Sequence, residues 1–399
     1  CVGLIVDSFH TYARKIDPDT LRGVPGDKIF FVQLADAPLI DMDLLYWSRH
    51  FRNMPGQGDL DVARFVRAVA ATGYQGTWSL EIFNDQFRGG SPGTIAADGH
   101  RSLVAVLDAA KRAEPELAIE ATAMPAPISV KGVEFIEFAA NEAEAQNLSR
   151  LLRSMGFTHA GRHIAKQVDL FRAGGVNIVV NTEREGFAHS AYLMHGTCVC
   201  DIGLKVDDAQ ATVDRASVLG TRAFNQPVGP GELKIPAIRG VGGGLMHFVD
   251  DKTELAKVTT LFDTQKTPML DVVDPGGLVR SQVIENSKGT VRITLNGADT
   301  SSTLAGHFVA ESFGSSVQHV AFASIDIFKT AAALSQTGFA FLEVSANYYA
   351  DLQARFGLED AFVAQLKQHG ILYDRDGTGG EYFQLYSTLC GEGFFFEIV

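Results

Sequence analysis

The chain has 399 residues, of which 46% are hydrophobic and 20% are charged, so it is globular and long enough for two or three hydrophobic cores. Its formal net charge of −13 argues against nucleic acid or an anionic membrane surface as a partner. No apolar run is long enough to span a bilayer, and the four cysteines show no zinc-binding spacing, so we expect reduced cysteines in a cytoplasmic protein.

The first 113 residues alternate between strand and helix patterns. The predicted elements are a buried strand at 2–6, a strand at 28–34, a helix at 62–72, a short strand ending near Glu81 and a helix at 94–113. Asp59 is the expected N-cap of the helix at 62–72. Alternation of this kind predicts parallel strands covered by helices, with the carboxyl ends of the strands at one edge.

Three successive strands end with oxygen-bearing side chains, namely Asp7, Gln33 and Glu81. Two carboxylates and one amide oxygen suit Mg²⁺, Mn²⁺ or Co²⁺ better than a soft metal. A buried carboxylate needs a cation or donors, so we interpret Glu81 as a ligand; the alternative is an acid in a solvated loop. His10 and Arg52 would face a substrate, unless they are a packed loop histidine and a surface charge.

These residues lie in the runs D-S-F-H, F-V-Q-L-A-D, R-N-M-P-G-Q-G-D and S-L-E-I-F-N-D. In order and spacing the runs resemble the xylose-isomerase-like TIM barrels, specifically the bacterial 3-dehydroshikimate dehydratases. The resemblance covers residues 1–113 and implies a metal held by four side chains: a Glu, an Asp, a Gln or His, and a second Glu. Asp7, Gln33 and Glu81 match three of these ligands. The first Glu has no counterpart, so 1–113 matches only the C-terminal half of a TIM barrel.

The same resemblance assigns substrate contact to His10, Ser48 and Arg52. It implies metal-dependent conversion of 3-dehydroshikimate to protocatechuate, a step of quinate and shikimate breakdown. Arg52 would bind the substrate carboxylate with a two-pronged contact, and His10 would act as an acid or base. A base in the missing half of the barrel is an equal alternative.

The segment 114–131 is rich in Pro and Ala and is predicted to be a linker. Beyond it, a strand followed by an amphipathic helix recurs three times, with strands at 133–138, 199–204 and 317–322. Each copy resembles the βαβββ unit of vicinal-oxygen-chelate folds. Such units pair, so we expect one module at 132–252 and a metal-binding module at 253–399, with the fourth copy, due between Asp250 and Pro268, missing.

His319 lies at a strand centre, and Glu397 lies in an aromatic strand at the other end of the last module. Together they suggest two members of a 2-His-1-carboxylate triad, which usually holds Fe²⁺. The alternative for His319 is a hydrogen-bonded core histidine.

The runs A-I-R-G-V-G-G-G-L-M-H-F-V-D, G-L-V-R-S, V-R-I-T-L-N, V-Q-H-V-A-F and F-F-F-E-I resemble the 4-hydroxyphenylpyruvate dioxygenase family. The resemblance covers residues 132–399 and implies that His319 and Glu397 are the second and third metal ligands. It assigns polar positions of the substrate pocket to Ser281, Asn296 and Gln384. The first histidine ligand is missing. His247 is a candidate, but it lies in the last strand of the first module, so we expect a segment after Asp251 to be absent.

Three alternatives to the dehydratase remain open. One is a sugar isomerase or epimerase on the same barrel, and another is an Fe²⁺ arylpyruvate dioxygenase in the C-terminal part. The third makes that part a non-catalytic binding or assembly unit. We expect a small-molecule substrate and no nucleic-acid or membrane partner, and we leave a homo-oligomer open.

Overall fold

The computed structural model describes residues 2–163, 165–228, 234–252, 264–266, 270–274, 277–286, 291–298 and 302–399. The chain divides into two compact units. The first consists of Cys1–Ile128, Gln210–Ala223 and Lys266–Met269; the second consists of Ser129–Ala209, Phe224–Gln265 and Leu270–Val399.

The first unit contains a parallel sheet with the strand order β1-β2-β3. Its strands are β1 (Leu4–Asp7), β2 (Ile29–Leu34) and β3 (Trp78–Leu80). Its helices are α1 (Ser8–Ala13), α2 (Leu44–His50), α3 (Val62–Ala70), α4 (Asp85–Arg88) and α5 (Pro92–Ala113), with 3₁₀ turns at Pro18–Gly23 and Gly26–Lys28. The predicted parallel strand–helix pattern is therefore confirmed.

The core of this unit joins β2 to α3. Val32 and Leu34 of β2 and Phe65, Val66 and Val69 of α3 are completely or almost completely buried. The apolar residues of α3 recur at helical spacing, so one face of the helix is buried. This packing places the carboxyl ends of the strands at one edge.

Two local expectations for this unit are wrong. The N-cap of α3 is Asp61, which accepts a hydrogen bond from Arg64 N at 2.9 Å, whereas the Asp59 carboxylate accepts one from Leu39 N. In the strand predicted as buried at 2–6, Leu4 is 49% exposed and Ile5 is 67% exposed. Since β1 is an edge strand, its first side chains gain no cover from a second neighbouring strand.

The predicted linker segment packs within the first unit as far as Ile128. Ile119 is buried in its core, and Glu114 forms ion pairs with Arg22 at 2.7 Å and with Arg67 at 2.9 Å. The domain boundaries at 113 and 131 stay predictions.

A buried acid, Asp36, organises the loop that follows β2. Its carboxylate accepts hydrogen bonds from the backbone amides of Ala37, Gly56 and Leu60 at 2.8–2.9 Å, and its side chain is fully buried. Its own backbone pairs with that of Asn53. Asp36 therefore fixes the segment that carries Arg52.

Replacing Asp36 by Ala is expected to lower the free energy of unfolding by about 2 kcal/mol, because the buried amides of Ala37 and Leu60 and the exposed amide of Gly56 lose their acceptor. Asp36→Asn keeps one acceptor oxygen and should cost less. Urea unfolding of both variants measures the difference. A loss below about 1 kcal/mol in Asp36→Ala would show that these amides find other partners.

The second unit contains an eight-stranded sheet with the order β5-β6-β7-β4-β8-β11-β10-β9. Its strands are β4 (Val130–Ala139), β5 (Thr158–Arg162), β6 (Val168–Ala173), β7 (Val176–Asn181), β8 (Cys198–Val206), β9 (Ala223–Phe224), β10 (Ala237–Arg239) and β11 (Leu245–Val249). The helices in this stretch are α6 (Glu142–Ser154), α7 (Gly186–His195) and α8 (Ala209–Val218), with a 3₁₀ turn at Val241–Gly243. In chain order, β4-α6-β5-β6-β7 and β8-α8-β9-β10-β11 are two βαβββ units, joined by the antiparallel β4–β8 pair.

Two smaller sheets follow. The first has β14 at its centre, paired with β12, β13 and β15; the second has the order β16-β19-β18-β17 and is the third predicted βαβββ copy. Their strands are β12 (Thr264–Lys266), β13 (Leu270–Asp274), β14 (Gly277–Asn286), β15 (Arg292–Ala298), β16 (His319–Phe322), β17 (Leu372–Arg375), β18 (Glu381–Tyr386) and β19 (Phe395–Ile398). The helices are α9 (Leu304–Glu311), α10 (Ile327–Gln336), α11 (Ala346–Phe356) and α12 (Asp360–Gln368). The expected absence of a fourth copy concerns the stretch between Asp250 and Pro268, in which 253–263 and 267 lie outside the described residues.

Among the residues that the structure describes, no helix is both long and apolar enough to cross a membrane. Cys198 and Cys200 are buried with free thiols, and burial raises the pKa of Cys198 to about 12. These two cysteines therefore act as small apolar core residues. The cytoplasmic location stays a prediction.

Candidate active site

The ends of the three parallel strands bring Asp7, Gln33 and Glu81 together. Asp7 ends β1 and lies directly opposite Gln33 on β2, and Glu81 follows β3 with its amide bonded to Leu34 O. Gln33 Nε2 donates a hydrogen bond of 2.7 Å to Glu81 Oε1. The predicted trio is therefore one cluster.

Arg52 is the cation of this cluster. Its side chain is 1% exposed, and its Nη1 donates to Asp7 Oδ2 at 2.9 Å and to Glu81 Oε2 at 2.8 Å. One guanidinium nitrogen thus lies between the two carboxylates. Two acids this close repel each other, so a shared cation is what makes the arrangement stable.

The rest of the guanidinium group is held by its neighbours. Arg52 Nε donates to the backbone oxygen of Ser48 at 3.0 Å, and Nη2 donates to Ser48 Oγ at 2.8 Å and contacts His10 Nε2 at 3.1 Å. The rings of Phe9 and Phe83 lie 4.7 and 5.4 Å from the guanidinium carbon. Arg52 therefore connects all the residues predicted for the barrel site except Gln33.

His10 lies at the open side of the cluster. Its side chain is 60% exposed, and its Nε2 lies 4.0 Å from Asp7 Oδ2. Asp7 caps α1 by accepting a hydrogen bond from His10 N at 2.9 Å, so the same acid orients the helix that carries His10. Since Nε2 faces a guanidinium donor, this nitrogen is the hydrogen-bond acceptor of the ring in this arrangement.

Sequence reasoning missed Phe9, Phe83 and Asn84. Asn84 is buried, and its Nδ2 donates to Arg52 O at 3.1 Å and to Asn53 Oδ1 at 3.0 Å, which fixes the backbone that carries the guanidinium group. All three lie inside the quoted runs D-S-F-H and S-L-E-I-F-N-D. Their position beside ligand-type residues was the available signal.

A second cluster lies in the last sheet. His319 Nε2 on β16 is 3.4 Å from Glu397 Oε2 on β19, and Gln384 Nε2 on β18 donates to Glu397 Oε1 at 2.9 Å. The His319 ring stacks on Phe395, and burial lowers the pKa of His319.

Sequence reasoning missed Tyr386, which is the register partner of Glu397. Burial and the Glu397 carboxylate raise the pKa of Tyr386. Tyr386 stands two residues from Gln384, which was the available signal.

Ser281 and Asn296 belong to a different sheet. They are register partners on β14 and β15, and Ser281 Oγ donates to Asn296 Oδ1 at 2.6 Å. Among the described contacts, none joins this pair to His319 or Glu397.

His247 lies on β11, in the last strand of the first module as expected, and contacts Asp201.

Two family models match the chain. The model described as "Xylose isomerase-like TIM barrel" matches residues 1–107, and "Hydroxyphenylpyruvate dioxygenase, HPPD, N-terminal" matches residues 124–265. A 4-hydroxyphenylpyruvate dioxygenase from Pseudomonas aeruginosa is 26% identical, with 68% of this chain and 88% of the relative covered. A partial TIM-barrel region therefore precedes a dioxygenase-like region of vicinal-oxygen-chelate type.

A 3-dehydroshikimate dehydratase from Pseudomonas putida is 40% identical over all of this chain and 70% of its own length. The chain belongs to the 3-dehydroshikimate dehydratase family. A solved structure titled "xylose isomerase-like TIM barrel/4-hydroxyphenylpyruvate dioxygenase fusion protein" shares 39% identity and covers 99% of this chain and 70% of its own, with a TM-score of 0.83. The dehydratase alignment spans 442 positions for 399 residues, so the relative contains internal residues without a counterpart here. The absence of a segment after Asp251 stays a prediction.

Membership of the dehydratase family implies a metal-dependent enzyme, and the barrel residues fit this requirement. Asp7, Gln33 and Glu81 offer only oxygen ligands and meet at one edge, which is the donor chemistry of a hard divalent ion. In the structure Arg52 neutralises the two acids. Within the described part of the chain, no three His, Cys, Asp or Glu side chains are arranged to hold a metal, and this trio contains only two such residues.

Proposed function

We propose that the protein dehydrates 3-dehydroshikimate to protocatechuate at the cluster of Asp7, Gln33, Glu81, Arg52 and His10. The observation that carries the proposal is the shared Arg52 nitrogen, which contacts both carboxylates while Gln33 contacts Glu81. Membership of the dehydratase family supports the choice of substrate.

The substrate is a ring ketone with a β-hydroxyl group and a carboxylate. Loss of the α-proton and of the hydroxyl group releases one water, and a shift to the aromatic form completes the product. Asp7, Gln33 and Glu81 would hold a divalent ion such as Mg²⁺, Mn²⁺ or Co²⁺, which stabilises the negative charge that develops on the ketone oxygen. His10 Nε2 would accept the α-proton, since it lies beside Arg52 on the exposed side of the cluster.

Arg52 would bind the substrate carboxylate. Its Nε and Nη2 are held by Ser48, so the plane of the guanidinium group stays fixed when Nη1 exchanges its present carboxylate partners for that of the substrate. Phe9 covers one face of the group and restricts water access. Ser48 therefore positions the arginine, and Arg52 positions the substrate.

Replacing His10 by Asn is expected to lower kcat by about 10² to 10⁴-fold, because Asn cannot accept the proton. The limb of the pH–rate profile that reports the base should disappear. Steady-state kinetics across pH measures both effects. A kcat within about tenfold of the parent, with an unchanged profile, would place the base elsewhere.

Product identification tests the proposed function. The intact protein, freed of metal by a chelator and then supplied with Mg²⁺, Mn²⁺ or Co²⁺, should release protocatechuate from 3-dehydroshikimate and should leave ketoses unchanged. Isomerised ketose without protocatechuate would instead support the sugar-isomerase alternative.

A second candidate activity rests on the His319–Glu397 pair with Gln384. This pair would supply two of the three ligands of an Fe²⁺ oxygenase acting on an arylpyruvate. Oxygen uptake with 4-hydroxyphenylpyruvate that disappears in His319→Ala would support it. Absence of such uptake would favour a binding or assembly role, and the oligomeric state stays open.

A further inference from the structure

A third polar cluster lies on the eight-stranded sheet, and neither site described above uses it. It contains Glu137 on β4, Asn181 on β7, Asp201 on β8 and His247 on β11. Asn181 Nδ2 donates to Glu137 Oε1 at 2.8 Å, and His247 Nδ1 lies 2.5 Å from Asp201 Oδ2. Glu137 and Asp201 are direct register partners on the central β4–β8 pair.

The internal repeats show that these positions are equivalent to those of His319 and Glu397. Glu137, Asp201 and His319 each lie 19 residues before the glycine that follows the helix of their repeat. Those glycines, which all have positive φ, are Gly156, Gly220 and Gly338. Asp201 is therefore the counterpart of His319, and Glu137 is the counterpart in the first repeat.

The strand register gives the partners of these residues. In the last sheet, Glu397 lies opposite Ala321, two residues beyond His319. In the eight-stranded sheet, His247 lies opposite Gly203, two residues beyond Asp201. The Asp201–His247 pair thus occupies the same two repeat positions as the His319–Glu397 pair. The acid lies on the first strand and the histidine on the last strand, whereas in the last sheet the order is reversed.

The first repeat completes the set. Asn181 lies opposite Ala139, two residues beyond Glu137, in the same relation as the other two pairs. Two βαβββ units consequently each contribute one residue from their first strand and one from their last strand. All four are polar, and Glu137 and Asn181 alternate with Phe138 and Val180 of the apolar core, so they lie on the other face of the sheet.

The charges in the cluster are incompletely matched. The Asp201 side chain is 6% exposed, and its Oδ1 has no hydrogen-bond partner among the described residues. Burial and the Asp201 charge raise the pKa of Glu137 to about 7. Glu137 and Asp201 are acids at facing positions, Asp201 buried and Glu137 half-buried, and a cation between them would stabilise both charges.

We propose that Glu137, Asp201 and His247 bind a divalent transition-metal ion, with Asn181 as a neighbouring fourth group. Two carboxylates and one imidazole suit Mn²⁺, Fe²⁺, Co²⁺ or Zn²⁺. In the structure the four side chains contact each other in two pairs, and no three metal-binding side chains of the described residues surround one point. Asp7 and Glu81 are likewise paired with Arg52, so a bound ion would replace side-chain contacts in both places.

Cobalt binding tests this proposal. The starting protein is the full chain with Glu81→Gln and His319→Ala, which removes ligands of the other two clusters. After chelator treatment, it should bind one Co²⁺, with the visible absorption of a nitrogen- and oxygen-ligated ion. Adding Asp201→Asn, which keeps the shape of the side chain, should weaken the binding at least tenfold, and adding His247→Ala should also remove the spectral signature of the histidine.

The matched control is His159→Ala. His159 contacts Asp169 at 2.7 Å on the same sheet, but this pair is half-exposed and lies outside the repeat positions. This substitution should leave cobalt binding unchanged, and thermal unfolding should show that every variant is folded. Absence of Co²⁺ binding in the starting protein, or equal binding with and without Asp201→Asn and His247→Ala, would overturn the proposal.

Discussion

Replacing Glu81 by Gln is expected to reduce the rate of protocatechuate release by about 10² to 10³-fold, the range found when a group that stabilises developing charge is lost. Gln keeps the size of the side chain and removes the negative charge. Glu81 is both a partner of Arg52 Nη1 and a proposed metal ligand, so the substitution affects both roles. The hydrogen bond from Gln33 to this side chain can be kept. Steady-state kinetics at saturating Mn²⁺ gives the loss.

The matched control for Glu81→Gln is Asp27→Asn, an acid of the same unit that is exposed and pairs only with Lys28 in the described structure. Its turnover should stay within about twofold, since exposed ion pairs contribute little. A Glu81→Gln protein that is folded and retains more than half of the parent rate would remove the metal assignment.

Replacing Arg52 by Lys is expected to lower kcat/KM by about 10² to 10³-fold, mainly by raising KM, because a flexible ammonium group cannot present a donor in the fixed plane of the guanidinium group. Lys keeps the positive charge near Asp7 and Glu81 but loses the contacts from Nε and Nη2 to Ser48. Kinetics and direct titration with 3-dehydroshikimate separate binding from turnover.

Arg64→Lys is the control for this substitution. Arg64 is half-exposed and forms ion pairs with Asp17 and Asp19 on the surface of the same unit. Its kcat/KM should change by less than about twofold. If Arg52→Lys and Arg64→Lys had the same KM, Arg52 would have only a structural role.

The sequence predicted the barrel cluster because strand ends obey a simple rule. Parallel strands in register place their last residues at one edge, so Asp7, Gln33 and Glu81 could be grouped from local patterns alone. The contacts of Arg52 could not be predicted in this way. They depend on a loop whose course is set by the buried carboxylate of Asp36.

In the C-terminal part, the repeat positions could likewise be predicted from the sequence, whereas the tertiary contacts could not. The spacing of the repeats predicted the βαβββ units and placed His319 and Glu397 on neighbouring strands. It also marked Glu137 and Asp201 as acids at the same repeat position, but the contact between Asp201 and His247 depends on strand pairing. The bond between Ser281 and Asn296 likewise arises from a hairpin register that no local pattern specifies.

The most direct test of the account is a Mn²⁺ titration of the intact protein and of Glu81→Gln, followed by electron paramagnetic resonance. Asp7, Gln33 and Glu81 should hold one Mn²⁺ that the variant fails to bind, and the turnover of the chelator-treated parent should rise in step with occupation of that site. Equal numbers of bound Mn²⁺ ions in the two proteins, or full protocatechuate release by metal-free parent protein, would contradict it.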